Sequence, residues 1–338
     1  MQNLIGKYFR GFQFTDIIGE GGMGVVYKAR DLKLDRNVAI KVIQPNKSFS
    51  FHTIKKFRKE AKHQARLIHP NIVTVLELIE IESSIGIVME FIDGEDLGSI
   101  LRKNKRLDFT KTKEILLQVL IGLDFAHSQG IIHRDIKPSN IIIRKDGVVK
   151  IADFGIAKSV EDFETMTTTS NAVGTSYYMS PEQFRGEKIS HLSDIYSLGC
   201  ATYEMATGFP PFYYQTSSQV MYAHLNDIPA PIESWRKDYP IAFNNLIMKT
   251  LEKDLRFRPK SCLVIYDQLI NITADNSFYN DNVQSKNVSN TGKNSFIVKL
   301  IKLILILLTL AISYLVIKNV KIHQDEKEKT NLPSPFSK

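Results

Sequence analysis

Apolar residues follow two rhythms along this chain, and the changes between them divide it into zones. From residue 12 to about 45 the pattern is strand-like. Phe12, Phe14 and Ile17 enter a glycine-rich turn, Val25-Val26-Tyr27 leave it, and Val38-Ala39-Ile40 run up to Lys41. A helical segment is expected from about Thr53 to Leu67, and strands resume over Ile72–Leu78 and Ile85–Met89. From Thr110 to Ser128, the apolar residues Ile115, Leu116, Val119, Leu120, Leu123 and Phe125-Ala126 fall at helical spacing, so one face of that helix enters a core. Two short apolar runs, Ile141–Ile143 and Val148–Ile151, predict further strands, and the remainder to about residue 272 reads as mostly helical. Between them Ile156 to Glu182 is long and polar, with Thr165, Thr167, Thr168, Thr169 and Ser170 clustered in it.

The rhythm then stops. Asn, Ser, Asp and Lys dominate 273–295, which reads as a flexible linker. Residues 296–317 are apolar apart from Lys299, Lys302 and a few small polar residues. The uncharged core Leu303–Ile317 would be about 22 Å long as a helix, and the stretch from Phe296 about 33 Å, enough to cross a bilayer. Lys299 and Lys302 lie near one end, where lysines can snorkel. A single transmembrane helix over 296–317 is therefore expected, followed by a short polar tail, 318–338, too small to fold as a sensor. Lysines flank the span on both sides, so charge bias does not orient it.

Composition narrows the classes. The chain has 338 residues and a net charge of +8. Residues 1–272 carry 35 basic and 31 acidic side chains, and 273–338 carry nine and five, so no basic element stands out and a nucleic-acid partner is not expected. Two cysteines, Cys200 and Cys262, sit in apolar contexts and read as reduced, buried thiols. Met1 to Gly11 lacks an apolar core, so no secretory signal is expected.

The candidate chemistry lies in His133-Arg134-Asp135-Ile136-Lys137-Pro138-Ser139-Asn140 and in Asp153-Phe154-Gly155. Asp135 can accept a hydrogen bond from an attacking hydroxyl. Asn140 and Asp153 offer hard oxygen ligands for magnesium, and Lys137 can meet charge on a transferring phosphoryl group. In register, these residues resemble the catalytic loop and metal-binding motif of eukaryotic-like (Hanks-type) serine/threonine protein kinases. Gly19-Glu20-Gly21-Gly22-Met23-Gly24 and Gly174-Thr175…Tyr178-Met179-Ser180-Pro181-Glu182-Gln183 are similar to bacterial members, although Ser180 stands where the family usually has alanine. The resemblance covers roughly residues 12–272.

The resemblance implies an α+β, two-lobed kinase fold, with a β-rich lobe over about 12–90 and a helical lobe over about 91–272. ATP and magnesium are the implied cofactors, and protein serine or threonine hydroxyls the acceptors. A strand rather than a helix follows the glycines, which favours a nucleotide flap over a Rossmann turn. Ile18, Gly19, Glu20, Gly21, Gly22, Met23, Gly24, Val25 and Val26 would then cover ATP. Val26 and Ala39 would sandwich the adenine, the backbone of Glu90 and Ile92 would bond its edge, Met89 would be the gatekeeper, and Asp96 would reach the ribose. Lys41 would grip the α- and β-phosphates and pair with Glu60. Asp194 would bond the backbone around His133 and Arg134, and Arg258 would pair with Glu182. Arg134 offers a cation for phosphothreonine in the activation loop, so autophosphorylation at Thr167 and Thr169 is expected, with a homodimer to serve it. Because the catalytic domain needs ATP, it would lie in the cytoplasm on a single-pass anchor in the cell membrane. A membrane-anchored pseudokinase scaffold is the rival reading. It is disfavoured because no catalytic position is lost. A small-molecule phosphotransferase is disfavoured by the long segment before Glu182.

Overall fold

The structure is a computed structural model and describes residues 3–21, 24–43, 58, 61, 62, 64–81, 84–154 and 173–274. The chain divides into two units, Met1–Ser277 and Phe278–Lys338, and the described residues all belong to the first. The linker, the apolar segment 296–317 and the tail lie outside them, as do Gly22, Met23, Glu60, Thr167 and Thr169. Among the described residues no helix is long and apolar enough to cross a membrane.

The N-terminal part is a six-stranded antiparallel sheet in the order β1-β2-β3-β4-β6-β5. Its strands are β1 (Tyr8–Phe9), β2 (Phe12–Gly21), β3 (Gly24–Asp31), β4 (Arg36–Ile43), β5 (Val75–Ile81) and β6 (Ser84–Glu90). β2 does not end before the glycines. It runs through Gly19 to Gly21, with register shifts at Phe14/Asp16 and Ile17/Gly19. Bulges of this kind twist and bend a strand. At the start of β3, Gly24 has φ +151°, and a Cβ there would meet the Val42 carbonyl oxygen at 2.2 Å, so only glycine fits. Phe14, Tyr27, Ala29, Val38, Ile40 and Val88 bury one sheet face, with the Phe14 and Tyr27 rings edge to face.

A three-residue strand β7 (Gly94–Asp96) leads into α1 (Leu97–Asn104) and the long α2 (Phe109–Ser128). β8 (Ile141–Arg144) and β9 (Val149–Ile151) complete a second antiparallel sheet, β7-β8-β9. Short helices α3 (Val173–Ser176) and α4 (Pro181–Phe184) precede α5 (His191–Thr207), and α6 (Ser217–Asn226), α7 (Ile241–Thr250) and α8 (Cys262–Ile270) follow. The long helix α2 matches the apolar pattern read over Thr110–Ser128. Asp108 caps α2 by accepting from Lys111 N, and Gly208, at φ 94°, closes α5. α5 is buried nearly all round, as a helix at the centre of a domain must be. Gly199 lets it approach α7, since a Cβ would sit 2.1 Å from Thr250 Oγ1.

The expected strand Ile72–Leu78 starts three residues late. Ile72 forms a parallel bridge with Ile151 instead, Val73 N donates to Ile151 O, and Ile151 N donates to Asn71 O. The backbone of this segment is therefore spent joining the two sheets, and β5 begins only at Val75.

Candidate active site

The loop after α2 is held by one buried carboxylate. Asp194, in the first turn of α5, accepts from His133 N and Arg134 N at 2.8 Å each, and its Oδ2 lies 2.7 Å from His127 Nε2. Burial pushes the Asp194 carboxyl up, but His127 and then His133, whose backbone N–H it accepts, outweigh it and hold it below the usual range. Arg134 has φ 67°, an unfavourable region for any residue but glycine. The two amide bonds, and a third from Gln183 Nε2 to Arg134 O, fix that conformation. Asp153, at φ 55°, is the other strained residue of the site.

The predicted catalytic and metal-binding side chains form two contact groups, Lys41 with Asp153 and Asn140 with Asp135 and Lys137, joined through the backbone. Lys41 Nζ lies 2.7 Å from Asp153 Oδ1. Ala152, next to Asp153, donates its N–H to Asn140 O at 2.8 Å. Asn140 Nδ2 donates to Asp135 O at 2.7 Å and to Asp135 Oδ2 at 3.2 Å, and Lys137 Nζ lies 2.9 Å from that same Oδ2. Beneath them His133 is fully buried, bonded through Nε2 to Ala152 O and packed on Phe154 at 4.5 Å. Burial lowers the His133 pKa, so the ring is neutral at physiological pH.

Lys41 reaches this set because β3 and β4 hold it in register with Val26, and β4 and β6 hold it in register with Ile87. Ala39 is buried opposite Met89, so the expected adenine-lining residues lie beside Lys41. Ile18 and Glu20, on the flap, are exposed. Its expected partner Glu60 lies outside the described residues, and the contact with Asp153 was not anticipated. Asp96 caps α1, accepting from Ser99 N at 2.8 Å and Ser99 Oγ at 2.6 Å.

One pair was missed from the sequence. Glu90 was singled out for its backbone, yet its carboxylate accepts from buried Lys150 at 2.7 Å and from Thr74 N at 2.8 Å, while Lys150 also donates to Ile72 O. The lysine of Val149-Lys150-Ile151 lies in an apolar run and gave no period-two signal. A cation inside such a strand was the available cue, because a buried charge requires a partner.

The segment leading to α4 is anchored as expected. Arg258, fully buried, donates Nη1 to Glu182 Oε1 at 2.8 Å and Nη2 to Oε2 at 2.9 Å. Ser180 is buried as well, and its Oγ has no hydrogen-bond partner among the described residues.

The oxygens suit magnesium. Asn140 uses its Nδ2 as donor toward Asp135, which leaves its carbonyl oxygen for a cation, and Asp153 follows Ala152, whose N–H bonds to Asn140 O. No cluster of three or more His, Cys, Asp or Glu side chains that could hold a metal occurs among the described residues. Magnesium asks for no such cage, because it takes one or two protein oxygens with substrate phosphates and water.

Comparison with known proteins agrees with this geometry. The protein kinase domain model matches residues 12–270. A probable serine/threonine-protein kinase of Clostridium acetobutylicum is 38% identical over 270 residues, covering 80% of this chain and 41% of that one. The serine/threonine-protein kinase PknB of Mycobacterium leprae is 37% identical over 265 residues, covering 77% and 43%. A crystal structure of a mutant PknI kinase domain from Mycobacterium tuberculosis superposes with a TM-score of 0.64 at 25% identity, covering 80% of this chain and 98% of that one. The chain belongs to the protein kinase family. The bacterial relatives it resembles are named serine/threonine-protein kinases, and the chain spans about two fifths of the length of those curated relatives.

Proposed function

We propose that this protein transfers the γ-phosphoryl group of ATP to serine or threonine hydroxyls of proteins, from a cytoplasmic domain tethered to the cell membrane by residues 296–317. The observation that carries the chemistry is the pairing of Lys41 with Asp153 and of Asn140 and Lys137 with Asp135, the two groups joined by the backbone bond from Ala152 N to Asn140 O. Lys41 orients the α- and β-phosphates. Asp135 accepts the hydrogen of the incoming hydroxyl as its oxygen bonds to the γ-phosphorus and the bond to the β–γ bridging oxygen breaks, releasing ADP. Lys137, held against Asp135, meets charge on the phosphoryl oxygens. Magnesium, held by Asn140 and Asp153, would neutralise phosphate charge. The protein's share is positioning and preorganised electrostatics.

Regulation is proposed at Thr167 and Thr169, phosphorylated by a second copy. Arg134 supports this reading, since its Nε is buried with no hydrogen-bond partner among the described residues. Phosphate on the loop would give that guanidinium a charged acceptor. The test is intact mass and peptide mapping after incubation with ATP and magnesium. The reading predicts phosphoryl additions that map to Thr167 and Thr169. A protein that gains none, and labels no added protein substrate either, would be the pseudokinase scaffold instead.

A further inference from the structure

The run Arg102-Lys103-Asn104-Lys105-Arg106 puts four cations in five exposed residues, at the end of α1 and in the turn toward α2. The fold adds to this run from two other places. Gly208, after α5, passes so close that a Cβ there would lie 2.8 Å from Lys105 O and 3.7 Å from Arg106 Cβ. Arg236 donates Nη1 to Leu107 O at 2.8 Å and to Ala206 O at 2.7 Å, which fastens its own loop against the same stretch. That loop brings Trp235, half exposed and edge to face on Phe209, and exposed Lys237. One surface therefore carries Lys105, Arg106, Lys237 and the chain's single tryptophan.

The acids around it are mostly engaged. Asp238 pairs with Arg236 at 2.6 Å, Asp108 caps α2, and Glu95 pairs with Lys103 at 2.6 Å. Glu233 is the exposed acid left on the loop. Lys105, Arg106 and Lys237 make no ion pair among the described residues, although Arg106 lies in the field of Asp238. A half-exposed tryptophan beside cations suits the head-group layer of an anionic bilayer. Its ring can enter the interface while lysine and arginine meet lipid phosphates.

The route of the chain favours a membrane over a soluble partner. Lys113, near the start of α2, donates to Ile270 O at 3.0 Å and to Ile272 O at 2.6 Å. The end of α8 thus lies at the end of α2 that carries Lys105 and Arg106. Residues 273–295 follow, and a coil of that length spans about 25 Å. An anchor at 296–317 would keep this surface within reach of lipid at high effective concentration.

We propose that Lys105, Arg106, Lys237 and Trp235 form a docking surface for anionic phospholipid, which seats the kinase domain on the membrane. The proposal rests on the membrane anchoring read above.

The test uses the full-length protein reconstituted in phosphatidylcholine vesicles with or without phosphatidylglycerol. Trp235 is the only tryptophan, so its fluorescence reports on this surface directly. With phosphatidylglycerol its emission should shift to the blue and be quenched by spin-labelled lipid, and high salt should reverse both effects. Lys105→Glu with Arg106→Glu should lower the docked-to-free ratio at least about ten-fold, and Lys237→Glu, on the other loop, about five-fold. Each variant should still phosphorylate a neutral peptide in phosphatidylcholine vesicles at the wild-type level. Identical emission with and without phosphatidylglycerol would overturn the docking and leave the anchor intact, as would a shift that both variants retain. A shift with polyglutamate or single-stranded DNA, but none with phosphatidylglycerol, would overturn it in favour of a soluble polyanion. Protein that fails to float with vesicles of either composition after an alkaline wash would overturn the anchor, and the docking with it.

Discussion

Asp194 shows how much one side chain can organise. Three donors from two separate stretches converge on it, and the strained Arg134 backbone depends on two of them. The sequence pointed to this role only through family resemblance. On residues alone, an acid in the first turn of a helix reads as a partner for the helix dipole. The candidate catalytic residues were legible because several polar groups of defined chemistry stood at fixed spacing. The Lys41–Asp153 and Lys150–Glu90 contacts were not, because each joins residues far apart in the chain, and periodicity carries no information about such pairs. Ser180 makes a test at this scale. Its hydroxyl is fully buried with no partner among the described residues. Ser180 is also the N-cap of α4, so the gain from removing a buried hydroxyl is offset by the lost cap, and Ser180→Ala should leave stability within about 1 kcal/mol of wild type, read as a nearly unchanged melting temperature with kinase activity retained. A clear loss of stability would show that the hydroxyl is satisfied.

Among the elements, α2 followed the apolar pattern most closely. It begins within a residue of the periodic segment and ends with it, because the capping residue Asp108 agrees with the stripe. Strands were less faithful at their ends. β5 starts late because Ile72 and Val73 bond across to Ile151, and β2 continues into the glycines because bulges, not a tight turn, absorb them. Neither choice is written in local propensity. The segment leading to α5 is fastened by Glu182 and Arg258, a doubly bonded pair with both side chains almost wholly buried. Burial pushes the Glu182 carboxyl up, and Arg258 with Ser193 brings it below the ordinary range. Arg258→Met should cost about 3–5 kcal/mol, because it strands a buried carboxylate. Urea denaturation would measure it, and a loss under about 1 kcal/mol would mean that the pair is not what fastens this segment.

At the scale of the whole molecule, the helical core should be sensitive to mild acid. His224 is fully buried between Phe184, Phe212 and Tyr196. Burial, with the nearby Lys253 charge, lowers its pKa from 6.5 to about 3. The unfolded chain takes up this proton near pH 6.5, and the folded state only near pH 3. Between those values the unfolded state holds more protons, so stability falls as pH falls. Buried His133 acts in the same direction. His224→Phe should flatten the decline below pH 6.5 by up to about 1.4 kcal/mol per pH unit. Urea midpoints between pH 7.5 and 5 for both proteins would show it, and parallel curves would refute it. The central claim is that Asp135, Asn140, Asp153, Lys137 and Lys41 act on one nucleotide. Nucleotide binding and phosphoryl transfer, measured side by side on wild type and Asp135→Asn, test it most directly. Transfer should fall by at least about 100-fold while ATP affinity is kept. Near-wild-type transfer by Asp135→Asn would contradict the account.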